Sequence, residues 1–383
     1  MIALAVLFWA SVGLILYSHV GYPLLLRVMV SLRGPVQRRS GVQPFRPSVS
    51  LIIAAHDEEE VIRQRLENAI ALDYPRDKLE IIVASDGSTD QTAAIAREMA
   101  ASDARVKVLE LLRRGKVKAQ DAAAEEASGA LLAFSDANAF WEAGALEALV
   151  RRFADPKVGY VCGRLRYLTP SGDNQEAAYW RYETAIRALE SRLGSITGGN
   201  GAIYAVRREA YLRLDPRTSH DLSLPFNLVR RGWHAIYEPL ARSVERSLPT
   251  VEGEFRRKRR MMSHAWPMVI TGGMLDPRGY GALYAIEIFS HRILRYASPF
   301  LHLLALGTNI ALIGRGGGIY IVTLAAQLGL LAGAALGYFV GGRVRLLALC
   351  NYYVMITASL AAGLWDWLRK GTPPTWEKAE GRG

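Results

Sequence analysis

The stretch that decides the fold is SVSLIIAAHDEEE, residues 48–60. Its first eight residues are small or apolar, with no Gly or Pro among them, which is typical of a strand buried on both faces. A histidine and four acidic residues follow at once, and apolar residues then recur at helical spacing from Glu59 to Ala71. The sequence therefore predicts a buried strand that delivers polar side chains to the place where a helix begins.

The alternation of strand and helix continues downstream. We predict strands at Leu79–Ala84, Val106–Leu111 and Ala130–Ser135, with helices at Thr89–Ala100 and Val117–Ala127 between them. Strand and helix in strict turn indicate an α/β fold, with a mostly parallel sheet and helices on both of its faces. Ligands of such sheets bind at the carboxyl ends of the strands.

The two ends of the chain are far more apolar than its middle. Half of the residues are hydrophobic and 22% are charged, yet Arg27 is the only charged residue before Ser31, and charges are sparse again between 299 and 368. Apolar stretches of this length predict membrane spans, here at 3–30 and near 296–314, 318–341 and 344–368. Two cysteines exclude a disulfide framework and a cysteine metal site.

These stretches divide the chain. We predict, in order, an N-terminal transmembrane helix at 1–32, a linker at 33–46, a globular cytoplasmic domain at 47–250, amphipathic interfacial helices at 251–283, about three transmembrane helices at 284–368 and a tail at 369–383. Four spans would leave the basic tail outside, which the excess of basic residues on inner loops disfavours. The number of spans stays open.

The net charge of +11 points to a membrane rather than to nucleic acid. Basic residues border the apolar stretches, as Arg27, Arg33, Arg38 and Arg39 do after the first stretch, and as residues 256–260 do before the later ones. This placement suits the anionic inner face of a membrane. We expect a multi-pass protein of the cell membrane that contacts membrane lipids and has no nucleic-acid partner.

Acidic side chains follow three of the predicted strands, at Asp57–Glu58, at Asp86 and at Asp136. Each has a structural alternative: residues 86–90 make a good turn and helix cap, and residues 57–60 could complement a helix N-terminus. Neither of the two commonest Gly-rich phosphate cradles is present. Three acidic ends at one edge of the sheet favour a binding site.

In order and spacing, AAHDE (54–58), SDGSTD (85–90), Gly115-Lys116 and FSDAN (134–138) resemble the nucleotide-sugar-binding half of inverting family 2 glycosyltransferases. The resemblance covers about residues 47–266. The flanking apolar stretches match the membrane-embedded members, which include cellulose, chitin and hyaluronan synthases. The resemblance implies a GT-A, Rossmann-like domain at 47–250, a nucleotide-diphospho-sugar donor, with a UDP-sugar as the first candidate, and Mg²⁺ or Mn²⁺.

The resemblance also assigns roles on the donor side. It places Asp57 and Glu58 beside the nucleotide, Asp86 at the base and ribose, Lys116 near the diphosphate, and Asp136 and Asn138 as metal ligands. A divalent cation takes oxygen ligands, so an aspartate and an amide oxygen could share it with phosphate and water.

The acceptor side would lie in the second half of the domain. TGGNG (197–201) resembles the family's Gly-rich loop, with Asn200 near the sugar, and Asp221 takes the place of the general base for displacement with inversion. His220 stands where an acidic residue is usual, and it could lower the pKa of the base if charged or donate a hydrogen bond if neutral. Alternatively, Asp221 only caps a helix at Leu222–Arg230.

The basic run before the later apolar stretches falls where synthases carry Q-x-x-R-W. Arg260 matches the arginine and Arg257 replaces the glutamine, so both are expected to bind substrate, whereas Met261 replaces the tryptophan. For Arg256, Lys258 and Arg259 we expect a solvated or lipid-facing position. The missing tryptophan leaves open whether the chain builds a polymer or transfers one or a few sugars to a lipid-linked acceptor.

One alternative of another class remains. The departures at Asn138, His220 and Met261 fit a catalytically degenerate transferase homologue that acts as an assembly or export partner. Against it, Asp86, Asp136 and Asp221 are all present. The scattered tryptophans, Trp180 among them, are expected to be packing or rim aromatics rather than platforms for a sugar.

Overall fold

The computed structural model describes residues 1–34, 45–168, 175–246, 251–315, 317–340 and 343–372. Most of the predicted linker, with Arg38 and Arg39, and the tail beyond residue 372 lie outside the described residues. The boundary predicted at residue 250 lies outside them as well.

A single eight-stranded sheet forms the centre of the globular domain, in the order β3-β2-β1-β4-β7-β6-β8-β5. Its strands are β1 Val49–Ala55, β2 Leu79–Asp86, β3 Val106–Leu111, β4 Leu131–Asp136, β5 Phe140–Trp141, β6 Val158–Leu168, β7 Tyr204–Arg207 and β8 His234–Arg246. The first four strands are parallel, as are β6 and β8, whereas β7 and β5 run antiparallel to their neighbours. The predicted α/β fold with a mostly parallel sheet is confirmed.

The register of β1 with its two neighbours brings the polar strand ends together. Ala54 pairs with Ala84 of β2 on one side and with Asp136 of β4 on the other. All seven residues of β1 are buried; Val49, Leu51, Ile53 and Ala55 join one apolar cluster, and Ile52 joins a second. The strand is therefore held on both faces, as its continuous apolar run requires.

Helices cover the sheet, and further helices precede the first strand and follow the last strand in the sequence. They are α1 Ile2–Leu16, α2 Tyr22–Arg33, α3 Ile62–Ile70, α4 Thr92–Ser102, α5 Lys116–Glu126, α6 Ala145–Val150, α7 Gln175–Leu193, α8 His220–Val229, α9 Val251–Ile270, α10 Ala282–Glu287, α11 Leu294–Leu312, α12 Ile319–Val340 and α13 Arg345–Lys370. A π-helical turn at Tyr17–Gly21 joins α1 to α2, so that the two form one continuous helix.

The helices α3 and α4 each begin three residues later than predicted. The residues before them cross-link the two loops instead, because the Glu59 N–H donates to Asp90 and the Gln91 N–H donates to Glu59, at 3.1 and 3.0 Å. Asp90 also accepts from the Thr92 N–H at 2.9 Å, which is the side-chain cap that precedes α4. Acidic residues after these strands therefore hold the loops against each other.

Within the described ranges, three helices are long and apolar enough to cross a membrane: Ile2–Arg33, Ile319–Val340 and Arg345–Lys370. The stretch at 296–314, which we predicted as a further span, forms α11, but α11 is not among these three. It packs along α1 through a cluster that contains Phe8 and Ala305. The described residues thus support three candidate spans rather than four.

Candidate active site

The carboxyl ends of β1 and β4 open into a cavity of about 710 Å³, here named the central cavity. Lys116, Asp136 and Asn138 line one end of it. The loop at 198–202 and the start of α8 form its middle, and side chains of α7, α9, α11 and α13 enclose the other end. One space therefore joins the edge of the sheet to the helices outside the domain.

At the sheet edge, Lys116 forms an ion pair with Asp136. Lys116 is the first residue of α5, Asp136 is the last of β4, and both side chains are 27% exposed. Gly201 lies beside them, since a Cβ there would be 3.4 Å from both Lys116 Nζ and Asp136 Oδ2. The absence of a side chain at Gly201 keeps this pair open to the cavity.

The oxygen atoms at this edge fit a divalent cation that is shared with another ligand. Asp136 offers a carboxylate and Asn138, two residues on, offers an amide oxygen, and both line the cavity. The described part of the chain contains no group of three or more His, Cys, Asp or Glu residues that could hold a metal. Mg²⁺ or Mn²⁺ needs about six ligands, so most of them would come from phosphate and water.

The other two strand-end aspartates fix loops instead of facing the cavity. Asp86 is 1% exposed and accepts hydrogen bonds from the backbone N–H groups of Arg114 and Gly115, at 2.8 and 2.9 Å. These are the two residues that precede Lys116, so Asp86 sets the start of α5. Asp57 has a positive φ of 53° and accepts from the Thr89 N–H at 2.7 Å. Neither lines the central cavity.

Between these aspartates and the cavity lie His56 and Glu58. The Nδ1 atom of His56 is 2.9 Å from the Asp86 carbonyl oxygen, which fixes the imidazole at the end of β1. Glu58 lines the cavity, and its backbone N–H donates to Thr92 at 2.7 Å. Of the two residues that we expected beside the nucleotide, the structure brings Glu58 to the cavity and leaves Asp57 in the loop.

The side-chain amide of Asn200 fixes the Gly-rich loop through hydrogen bonds of both its nitrogen and its oxygen. Its Nδ2 donates to the Gly163 carbonyl at 2.8 Å and to Cys162 Sγ at 3.1 Å. Its Oδ1 accepts from the N–H groups of Ala202 and Ile203, at 3.1 and 3.0 Å. Both amide atoms thus shape the loop. Asn200 also lines the central cavity, so the expectation that it lies near the sugar stays a prediction.

The helix α8 begins at His220, with Ser219 as its N-cap residue, so Asp221 lies inside the first turn. The alternative that Asp221 caps a helix at Leu222 is therefore wrong. The Asp221 side chain lines the central cavity, and its carbonyl accepts from the Gly199 N–H at 2.6 Å. This bond ties the candidate base to the Gly-rich loop.

His220 is a neutral hydrogen-bonding residue in an aromatic pocket. It is 4% exposed, and burial, with a smaller effect of the Lys116 charge, lowers the pKa of His220 to about 3. Its Nδ1 forms a hydrogen bond of 2.9 Å with the Tyr204 hydroxyl, and Gln120 Nε2 donates to the same hydroxyl at 3.2 Å. The alternative of a charged histidine that lowers the pKa of the base is not supported.

The basic run on α9 divides between the cavity and the surface. Arg257 makes two hydrogen bonds of 2.7 Å to Glu254 and lines the cavity, as Arg260 also does. Lys258 is 5% exposed and lies over Trp180, with its Nζ 5.4 Å from the ring centroid. The solvated position expected for Lys258 is wrong, because aromatic side chains of α7 cover it.

Sequence reasoning missed several cavity residues from α7 and from the residues around the start of α11. Arg187, Arg292 and Arg295 line the cavity, and so does Trp180, which fits the rim position that was one of the two expected for it. In the sequence, Arg292 and Arg295 could have been noticed as two cations three positions apart beside an apolar stretch. The residue Arg187 had no such signal, because α7 has no marked apolar periodicity.

Comparison with known proteins connects this geometry to a family. Residues 50–234 match the family model described as glycosyl transferase family 2. A probable glycosyltransferase, YdaM, from Bacillus subtilis (strain 168) is 29% identical over 230 residues, which are 56% of this chain and 54% of that protein. The poly-beta-1,6-N-acetyl-D-glucosamine synthase of Staphylococcus aureus (strain COL) is 27% identical over 201 residues, 50% of this chain and 48% of that protein. The chain spans about half the length of these curated relatives.

A solved structure matches over almost the whole chain. It is the mannosyltransferase PcManGT from Pyrobaculum calidifontis, in complex with GDP-Man and Mn²⁺, with a TM-score of 0.69 and 23% identity. The match covers 95% of this chain and 99% of that one, so the fold is shared in the flanking helices as well as in the sheet. Residues 50–234 therefore form a domain that matches glycosyltransferase family 2 and has the GT-A fold, set between helices that are apolar enough to cross a membrane.

Proposed function

We propose that the chain is an inverting glycosyltransferase that takes a sugar from a nucleotide-diphospho-sugar, with UDP-sugars as the first candidates, and transfers it at the cytoplasmic face of the cell membrane. The observation that carries the proposal is the central cavity. Lys116 and Asp136, Asp221 and side chains of the candidate span α13 all line this one cavity. Donor, base and membrane acceptor would thus meet in one space.

The donor diphosphate would bind at the Lys116 end. Lys116 supplies a cationic group to phosphate oxygens, and Asp136 and Asn138 would hold a Mg²⁺ or Mn²⁺ ion together with the diphosphate. When bound, such an ion neutralises the charge that develops on the departing nucleoside diphosphate. Arg260, which also lines the cavity, is a further donor ligand in this proposal.

Asp221 would act as the general base. Its carboxylate accepts the proton of an acceptor hydroxyl while that oxygen forms a bond to the anomeric carbon and the bond to the diphosphate breaks, with inversion. His220 is the preceding residue and stays neutral, so it places no positive charge beside the base. The chain of hydrogen bonds from Gln120 through Tyr204 to His220 links α5 to the start of α8 and fixes their relative position.

The membrane assignment follows from the candidate spans. The first span carries Arg27 and Arg33 towards its end, and α13 ends in Arg369 and Lys370. With three spans, both of these ends would lie on the cytoplasmic side, in accord with the rule for basic residues. The acceptor would be a lipid-linked sugar or a growing cell-surface polysaccharide, in exopolysaccharide synthesis. A degenerate assembly partner is the alternative, and the tests below exclude it if turnover is found.

The Asp221→Asn variant tests the base. We expect turnover to fall by about 10²- to 10⁴-fold, because the amide cannot take a proton, while the shape of the cavity is kept. The measurement is release of nucleoside diphosphate by detergent-purified full-length protein across a panel of nucleotide-sugars. Asp77→Asn, an exposed change before β2, is the control. Equal turnover in Asp221→Asn and the unaltered protein would remove Asp221 as the base.

Two variants test the metal and diphosphate end. We expect Asp136→Ala to abolish transfer, since it removes the charged ligand, and Asn138→Asp to retain transfer at a lower concentration of Mg²⁺ or Mn²⁺, since it adds a second charged ligand. Turnover as a function of metal concentration is the measurement for both. Activity that survives in Asp136→Ala would reduce the FSDAN stretch to a polar turn.

The lowered pKa of His220 gives a test by pH. The group is neutral in the folded chain, with a pKa of about 3, and titrates near 6.5 when unfolded. Its contribution to stability is therefore complete above the unfolded value and is lost as the pH falls below it. We expect thermal unfolding midpoints to drop less between about pH 7 and about pH 5 in His220→Phe than in the unaltered protein. Identical drops would mean that His220 is not buried as a neutral group.

A further inference from the structure

Three arginines line the half of the central cavity that faces the candidate spans, and we name Arg187, Arg292 and Arg295 the arginine cluster. Arg187 is 4% exposed, and its Nη2 donates to the Gly199 carbonyl at 3.0 Å. The Nε of Arg292 donates to Thr197 Oγ1 at 3.0 Å, and its guanidinium lies against Gly198. Two of the three thus bind the Gly-rich loop that also contacts Asp221.

Carboxylates nearby do not balance this cluster. Among the ion pairs between described residues, Glu183 pairs with Arg295 and with His291, while Arg187 and Arg292 have no carboxylate partner. Two N–H-bearing atoms of Arg295, Nε and Nη2, also lack a hydrogen-bond partner in the described part of the chain. The second acid near the cluster, Glu190, is bound by His291 at 2.6 Å and by Tyr22 at 2.7 Å, and it also interacts electrostatically with Arg292. Two carboxylates therefore face three arginines, which leaves one positive charge in excess.

A further buried acid adds no compensating charge. Glu287 is 1% exposed, and burial, followed by the charge of Glu190, raises the pKa of Glu287 to about 10. It is therefore neutral near pH 7. A buried cation without a counter-charge is costly, and an anionic ligand in the cavity would remove that cost.

The position of the cluster separates this anion from the donor diphosphate. Lys116 and Asp136 lie beside Gly201, at one end of the Gly-rich loop, whereas Arg292 lies against Gly198 at the other end. Asp221 is tied to the loop between these ends, through Gly199. The anion expected at the cluster therefore lies on the acceptor side of the base.

Side chains of the candidate spans also line the cavity, and most of them are apolar or aromatic. Leu349, Tyr353 and Ile356 belong to α13, as do the smaller polar residues Thr357 and Ser359, and His19 belongs to the N-terminal helix. A ligand with its anionic group at the cluster would extend its remaining length between these helices. That combination of an anion and an apolar chain describes an amphiphile of the membrane.

We propose that the acceptor is a lipid-linked sugar whose phosphate or diphosphate bridge binds the arginine cluster, with its lipid chain towards α13 and the N-terminal helix and its sugar hydroxyl facing Asp221. This proposal rests on the proposed function and names the acceptor class for the same site. The step remains the one described above, in which the hydroxyl proton goes to Asp221.

The first test needs no variant. Full-length protein in phosphatidylcholine vesicles is given the donor that it turns over, with one of three acceptors: a sugar on polyprenyl diphosphate, the same sugar on the uncharged polyprenol, or a neutral soluble oligosaccharide. We expect kcat/KM for the first acceptor to exceed that for the second by at least about tenfold, because charge-assisted hydrogen bonds to the bridge are lost without it. Inorganic diphosphate should compete weakly, since it has the anion without the chain.

Variants then test whether Arg292 causes the preference for the diphosphate-linked acceptor. We expect Arg292→Gln to raise KM for the diphosphate-linked acceptor by at least about tenfold with a smaller change in kcat, and Arg292→Lys to restore part of it. The control Arg256→Gln removes an exposed cation of α9 outside the central cavity, and should leave KM unchanged.

Each outcome decides one of the two proposals. Equal kcat/KM for the charged and uncharged polyprenol acceptors would overturn the acceptor class while leaving the proposed function intact. An equal loss of kcat/KM for both acceptors in Arg292→Gln would do the same. Competition against the acceptor by inorganic diphosphate with an inhibition constant as low as the KM of the lipid-linked acceptor would show an anion site without a lipid acceptor, and would also overturn it. Absence of nucleoside diphosphate release with every donor and acceptor would refute the proposed function and the acceptor class together.

Discussion

The ion pair between Lys116 and Asp136 is the contact around which the candidate site is built. Asp86, at the end of β2, binds the two backbone N–H groups before Lys116 and so fixes the start of α5. Asp136 is placed by β4, which pairs with β1 in register. Parallel neighbours bring their carboxyl ends to one edge, so the topology alone places these opposite charges within reach of each other. Within the pair, each residue neutralises the charge of the other. A bound diphosphate would instead pair with Lys116, and a bound cation would pair with Asp136.

The sequence predicted this half of the molecule well, because its information is local. A buried parallel strand needs a continuous apolar run, and β1 to β4 were predicted within about two residues on that basis. The starts of α3 and α4 were missed, because Glu59 and Asp90 bond across two loops that are thirty residues apart in sequence. Asp57, Asp86 and Asn200 were recognised as special residues, but only the structure shows that their side chains hold loops.

The acceptor half could not be predicted in the same way. Lys258 is buried because Trp180 and Tyr179 of α7 cover it, and these residues lie almost eighty positions away in sequence. Arg187 and Arg292 reach one loop from two distant helices. Such contacts depend on how the flanking helices pack against the domain, and the structural match over 95% of the chain indicates that this packing belongs to the fold. The domain and its helices therefore enclose one cavity together.

We propose that the sheet edge binds a divalent cation only together with the donor diphosphate, because the chain offers Asp136 and Asn138 there and Lys116 already neutralises Asp136. The most direct test is Mn²⁺ binding to the detergent-purified full-length protein, measured calorimetrically with and without saturating nucleoside diphosphate. We predict weak binding to the protein alone and binding at least about tenfold tighter with the nucleotide present, beyond what the nucleotide binds in free solution. Tight Mn²⁺ binding without nucleotide, or an affinity that the nucleotide does not change, would contradict the account.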